Sequence, residues 1–216
     1  GLKVNPKAAV NRVFFFMCLS VAVWTLGFAI SNTATQLQSA MFWRRVSAVG
    51  WSFTFSLILH FTLLLVQQEE MIRSRAVRLA IYTPSVIFMF VFAIYSPIAN
   101  GQYQLVLTPI GWGNIPVNNS WDLAYNVYYT VFSLLVVTLL VRWGLNGKTR
   151  NIRIQGFSLA TSFVVAVVLS TITEMFANSL LSEKIPSLAP VFILAPLTVV
   201  LYFIQRDGFM HKQRQD

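Results

Sequence analysis

Side chains able to do acid–base, nucleophilic or metal chemistry are scarce in this chain, which holds 7 Asp+Glu, 2 His and 1 Cys among 216 residues. The lone Cys18 excludes an internal disulfide and a cysteine-based metal site. Two histidines cannot build a His-rich centre, and His60 with Glu69 or Glu70 would be an incomplete set of zinc ligands. No Gly-x-Ser-Gly with a partner His, no His-Glu-x-x-His and no pair of membrane aspartates occurs. No catalytic residue, metal or cofactor is therefore assigned. What remains is Glu174 with the adjacent Arg44 and Arg45. A carboxylate and a guanidinium at one depth in a membrane offset each other's burial. They read either as the polar floor of an outward-opening pocket, with an arginine left for an anionic group, or as an ion pair that holds two helices in register. His60 reads either as a packing residue hydrogen-bonded to a neighbouring helix backbone or Ser/Thr, or as a protonation relay.

The elements that must position these residues follow from composition. Hydrophobic residues make up 56% and charged residues 11%, with a mean hydropathy of +0.64. A soluble domain carries about 25% charged residues, and a disordered chain needs low hydrophobicity, so both are excluded. About 20 mostly apolar residues span a bilayer as a helix. Six stretches qualify: 13–30, 41–66, 79–95, 123–143, 154–177 and 188–205. They are continuous rather than alternating, which argues against a barrel. The predicted fold class is all-α, a polytopic transmembrane helical bundle.

Sidedness follows from the basic residues. The formal net charge is +9 and the pI about 10.1. Lys3, Lys7, Arg12, Arg73, Arg75, Arg78, Arg142, Lys148, Arg150, Arg153, Arg206, Lys212 and Arg214 fall on one side of the six-span topology, and only Arg44, Arg45 and Lys184 on the other. The positive-inside rule makes the first side cytoplasmic and puts both ends of the chain there. It accounts for the basic excess without a nucleic-acid partner. The partner is the lipid bilayer of the inner (plasma) membrane.

The linker 96–122 is the longest polar stretch. Gln102 to Thr108 partly alternates, Pro109 and Gly111 mark a turn, and Trp112 to Ile115 forms a returning strand. This predicts a short β-hairpin over the outer mouth. It carries no charge before Asp122, and its Tyr103, Trp112 and Trp121 suit an apolar or amphipathic ligand. Trp43, Trp121 and Trp143 near span ends also fit an interfacial aromatic belt. Pro196, mid-way through the sixth span, is expected to kink or loosen it. Ser52, Thr54 and Ser56 spread around the second span instead of forming one polar stripe, which argues against a continuous pore.

Asn5-Pro6-Lys7 leading into Val10-Asn11-Arg12, then Trp24-Thr25-Leu26-Gly27, Phe42-Trp43-Arg44-Arg45, Leu59-His60-Phe61, Thr108-Pro109-Ile110-Gly111-Trp112-Gly113 and Trp121-Asp122 together resemble the seven-transmembrane input region at the N-terminus of bacterial histidine kinases and some diguanylate cyclases. The resemblance implies one further helix upstream of Asn5. It also implies a bundle over 1–205, a cytoplasmic exit over 206–216 to an output module, and a homodimer. The function so implied is a membrane sensor whose C-terminus feeds a cytoplasmic signalling module. The residues read above then place an extracellular or membrane-borne ligand near Arg44, Arg45, Trp112, Trp121 and Glu174, with His60 and Pro196 as relay or structural positions. The competing reading is a small six-helix transporter or channel. It lacks an evident repeat and paired helix breaks. An opsin would need a lysine inside the last span, and none is there.

Overall fold

Lipid offers no hydrogen bonds, so every spanning backbone group must pair within its own helix. A computed structural model describes residues 8–109, 111–173 and 188–207. Helix α1 runs over Ala9–Thr33 and α2 over Leu37–Leu65. A short α3 (Glu69–Arg73) leads into α4 (Arg75–Met89), which ends in a π turn, Phe90–Ile94. After the one-turn α5 (Ser96–Ala99) come strands β1 (Gln104–Thr108) and β2 (Gly111–Ile115). Helices α6 (Ser120–Leu145), α7 (Arg150–Thr171), α8 (Ala189–Phe192) and α9 (Leu194–Asp207) are the remaining helices among the described residues.

Among the described residues five helices are long and apolar enough to cross a membrane: α1, α2, Arg75–Ile94, α6 and α7. The sixth apolar segment, Ala189–Ile204, is shorter. It is interrupted at Ile193, and Pro196 then falls in the first turn of α9, where a missing N–H leaves no bond unmade. The break therefore precedes the proline expected to cause it. The fold is an all-α membrane bundle, and the predicted hairpin is present as an antiparallel pair in register from Gln104↔Ile115 to Thr108↔Gly111.

Helix α2 is the axis. Of its most apolar 18 residues 78% are buried, against at most 33% in each of the other four. Small side chains let α1 approach it. A Cβ on Gly50 would lie 2.5 Å from the Ser20 carbonyl oxygen and from the Trp24 nitrogen. The Ser20 hydroxyl uses that closeness, donating to the Gly50 carbonyl at 2.7 Å and pairing with the Thr54 hydroxyl at 2.9 Å. On another side of α2, the Ser56 hydroxyl donates to the Ile81 carbonyl of α4 at 2.6 Å, and Ser85 donates to Ser56 at 2.6 Å. The Tyr128 hydroxyl of α6 joins them at 3.0 and 3.1 Å and donates to the Ser52 carbonyl at 3.1 Å. Thr54 and Ser56 thus serve different neighbours, as their angular spread requires. The node lies beside Pro84, which deprives α4 of one internal bond. Trp51, Phe88, Phe92, Tyr125 and Tyr128 pack edge-on or tilted around it, with centroids 4.6 to 6.3 Å apart.

Gly50→Val overpacks the α1–α2 crossing and is expected to cost about 1–3 kcal/mol. The measurement is the melting temperature of the purified protein in detergent. Gly101→Val is the control, because nothing lies within 4 Å of a Cβ there.

Candidate functional site

The hairpin sits on the connection between α1 and α2, and Arg44 is the fastening. Its guanidinium belongs to a residue only 3% exposed. Such a group keeps its charge at any accessible pH, so its donors must find acceptors. Nε donates to the Ser31 hydroxyl at 3.1 Å, and Nη2 donates to Asn32 Oδ1 at 2.7 Å and to the Trp112 carbonyl at 3.0 Å. The face of Phe28 lies 4.1 Å from the guanidinium carbon, a cation–π contact. The Ser31 hydroxyl in turn donates a hydrogen bond to the Ala40 carbonyl at 2.9 Å. One side chain of α2 thereby holds the end of α1 and the start of β2.

Trp112 adds a second bond, its indole N–H donating to the Ala34 carbonyl at 2.8 Å. Gly111 beside it has φ +116°, a left-handed conformation that favours glycine, and a Cβ there would run into the Asn32 carbonyl oxygen. The sequence Gly111-Trp112 is thus a docking element: the glycine allows contact and the tryptophan clasps.

Arg45 points elsewhere, because neighbours on a helix diverge by about 100°. Its Nε donates to the Ala93 carbonyl at 3.0 Å and its Nη2 to the Ile94 carbonyl and the Ser96 hydroxyl at 3.2 Å each. Nη1 reaches Asn100 Oδ1 at 3.4 Å. The Tyr103 hydroxyl donates to the Phe92 carbonyl at 3.1 Å. Three successive carbonyls at the terminus of α4, which the ending helix leaves without backbone donors, are capped by side chains of α2 and of the hairpin's leading segment. Burial holds the Tyr103 phenol well above its ordinary range; Arg44 and Arg45 pull it down and Asp122 raises it further. Asn119 caps α6, its Oδ1 accepting from the Trp121 and Asp122 amides at 2.9 and 3.1 Å while its Nδ2 donates to Gln102 at 2.8 Å.

Of the residues expected in the site, Arg44 and Trp112 are in direct contact and Arg45 belongs to an adjoining cap. The arginine left over for an anion is not found: both guanidinium groups are engaged. Trp121 is half-buried in the first turn of α6. Glu174 lies outside the described residues. His60 is sixteen residues beyond Arg44, about 24 Å along α2, and its Nδ1 pairs with the Tyr82 hydroxyl of α4 at 2.6 Å; its partner is a phenol, not backbone, Ser or Thr. Pro196 lines an apolar cavity of about 40 Å³ with Met17, Ile58, Phe61 and Leu140, in the half of the bundle that holds His60. Ser31 and Asn32 join the site without having been singled out for it, and Tyr103, expected as an aromatic of the lining, enters through its hydroxyl. Ser31-Asn32 at a helix end, level with a buried arginine, was the available signal.

Two outcomes follow for the site. Arg44→Ala leaves Asn32 and the Trp112 carbonyl without their donor and is expected to destabilise the fold by about 2–4 kcal/mol. Protease sensitivity within 104–115 should rise in proportion, and Arg44→Lys should recover only part, lacking the planar fork. For Tyr103 the raised pKa means that the folded state favours the neutral phenol. Its contribution is complete below the unfolded value of about 10 and is lost as pH rises beyond it. Thermal melts from pH 8 to 11 should show an alkaline decline that Tyr103→Phe reduces.

No curated protein and no solved structure matches the chain in whole-sequence or fold comparison. A family description does match: the N-terminal 7TM region of histidine kinase, over residues 3–210. That span takes in α1 to α9, the hairpin and both arginines, and the chain belongs to this family of histidine kinase N-terminal transmembrane regions.

Proposed function

We propose that this chain is the sensing part of a membrane-bound histidine kinase, with the hairpin on the outside of the cell, and that an apolar or amphipathic ligand acts on the hairpin. The observation that carries this reading is the way the hairpin is tied. Arg44 and Trp112 bind it to the α1–α2 connection, Tyr103 to the end of α4, and Gln102 to the cap of α6. A ligand that shifts it pulls on four helices at once. The path continues through α6, whose Tyr129 hydroxyl bonds the Val167 carbonyl and the Thr171 hydroxyl of α7 at 3.2 and 3.0 Å. Helix α7 packs on α9, which leads toward the C-terminus.

The ligand class rests on two exposed apolar residues of β1, one on each of its faces. Val106 and Leu107 are both exposed, Leu107 by 65%, and no charged residue lies between Ser96 and Asp122. Such a surface favours hydrocarbon over a sugar acid or phosphate. The distribution of Lys and Arg supports the orientation. Histidine kinases work as dimers, so the output is read as a change in the relation of two C-terminal helices.

The test uses the full-length kinase in nanodiscs, with autophosphorylation as readout and fatty acids of increasing chain length as probes. A response that grows with chain length and is lost in Leu107→Asp, with basal autophosphorylation retained, is expected. A response to polar solutes together with indifference to every amphiphile would overturn the ligand class.

A further inference from the structure

Helices α6 and α7 are each long and apolar enough to cross a membrane. The short turn between them therefore lies at a membrane surface, whichever way up the bundle sits. That turn and its flanks carry Arg142, Lys148, Arg150 and Arg153, all four of them exposed. No Asp or Glu occurs between Asp122 and Glu174 to offset them. The connection between α2 and α4 differs: there Glu69 and Glu70 accompany Arg73, Arg75 and Arg78.

The turn is tightly built. A Cβ on Gly156 would lie 2.7 Å from the Gly144 Cα, so the two helices meet closely at this end. The Asn146 amide closes α6 on the Arg142 carbonyl at 3.0 Å, and the Thr149 hydroxyl accepts from the Ile152 amide of α7 at 3.4 Å. Arg153 folds back, its Nε donating to the Gly147 carbonyl at 2.9 Å. That bond fixes the guanidinium while leaving its two terminal nitrogens to donate elsewhere.

The chain's own electrostatics work against this arrangement. Cations at the start of a helix oppose its dipole, and α7 has no acidic residue in its first turn. Arg150 and Arg153 stand three apart on one helix, where like charges repel. Among the described residues no carboxylate pairs with any of the four cations. An anion from outside the chain would relieve these costs together. The neighbours indicate its source. Leu145 and Ile154 are exposed apolar side chains beside the cations, and Ile154 lies about 6 Å further along α7 than Arg150, toward the hydrocarbon. A phosphate joined to acyl chains meets both sets of residues; a free anion meets only one.

We infer that the α6–α7 turn binds the headgroup of an anionic phospholipid, with Lys148, Arg150 and Arg153 on the phosphate, Arg142 adding charge from the end of α6, and Leu145 and Ile154 against the acyl chains. Guanidinium forks suit phosphate oxygens. Two spanning helices and their turn suffice for this binding, whatever the chain senses.

The full-length protein, reconstituted in vesicles of equal parts phosphatidylglycerol and phosphatidylcholine with matched acyl chains, is extracted in mild detergent. The lipids that stay with it are counted by mass spectrometry. Phosphatidylglycerol should be in excess, since each cation near a membrane surface is worth about a fivefold preference for anionic lipid. Lys148→Gln with Arg150→Gln should lower that excess at least fivefold and leave the melting temperature in pure phosphatidylcholine unchanged. Arg73→Gln with Arg75→Gln removes the same charge from the α2–α4 connection and should lower it less than twofold. Equal loss in both double variants would mean diffuse attraction to surface charge and overturn the site. Retention of both lipids without preference would do the same. So would displacement of the lipid from the unaltered protein by inorganic phosphate at an ionic strength where chloride has no effect, which would assign the cations to a free anion.

Discussion

A guanidinium that cannot give up its proton, placed where water is scarce, constrains everything at the hairpin end of this molecule. Arg44 demands acceptors, and meeting that demand recruits the last turn of α1, the ring of Phe28 and the backbone of β2. A buried charge left without partners costs several kcal/mol, so these groups are not free to drift apart singly. The hairpin is consequently part of the bundle and not an appendage. Arg45, one residue on, solves a different problem by capping the carbonyls that α4 leaves open where its π turn ends. Two adjacent arginines thus join one helix to two separate regions.

The rest of the architecture turns on α2. It is the most buried helix, yet it carries Ser47, Ser52, Thr54 and Ser56, all fully enclosed. Hydroxyls replace a purely apolar seam, and three of these four work between helices or along their own: Thr54 toward α1, Ser56 toward α4 and α6, Ser47 back to the Arg44 carbonyl at 2.6 Å, whereas Ser52 contributes its carbonyl, which accepts from Tyr128. In a medium where apolar contact alone gives no preference for protein over lipid, such bonds and close glycine contacts decide which helices are neighbours.

The helices were legible in the sequence because hydropathy is a local property, and so was the hairpin, because alternation, Pro109 and Gly111 lie within a few residues of one another. The ends were less so. Helix α1 extends four residues before the apolar run that announced it, and the last segment breaks at Ile193, ahead of the proline. The site was half legible. Arg44 and Trp112 stood out as a charge and an aromatic in apolar surroundings, but their mutual contact joins residues 68 apart, which no local pattern encodes. That Arg44 and Arg45 diverge follows from helix geometry alone and was available in advance. Tyr103 looked like one more loop aromatic, and only the fold shows its hydroxyl on the Phe92 carbonyl.

The position of Arg44's partners in the chain has a consequence for biosynthesis. Phe28, Ser31 and Asn32 all precede it by no more than sixteen residues. As the ribosome delivers the chain, α1 is already made when α2 enters the membrane, so the charge meets most of its acceptors at once. Trp112 arrives later and completes the set. The hydroxyls of Ser56 and Ser85 wait for Tyr128, which emerges with α6. The α1–α2 pair is therefore equipped to form as an early assembly unit, and the polar node between α2, α4 and α6 closes only once α6 has been made.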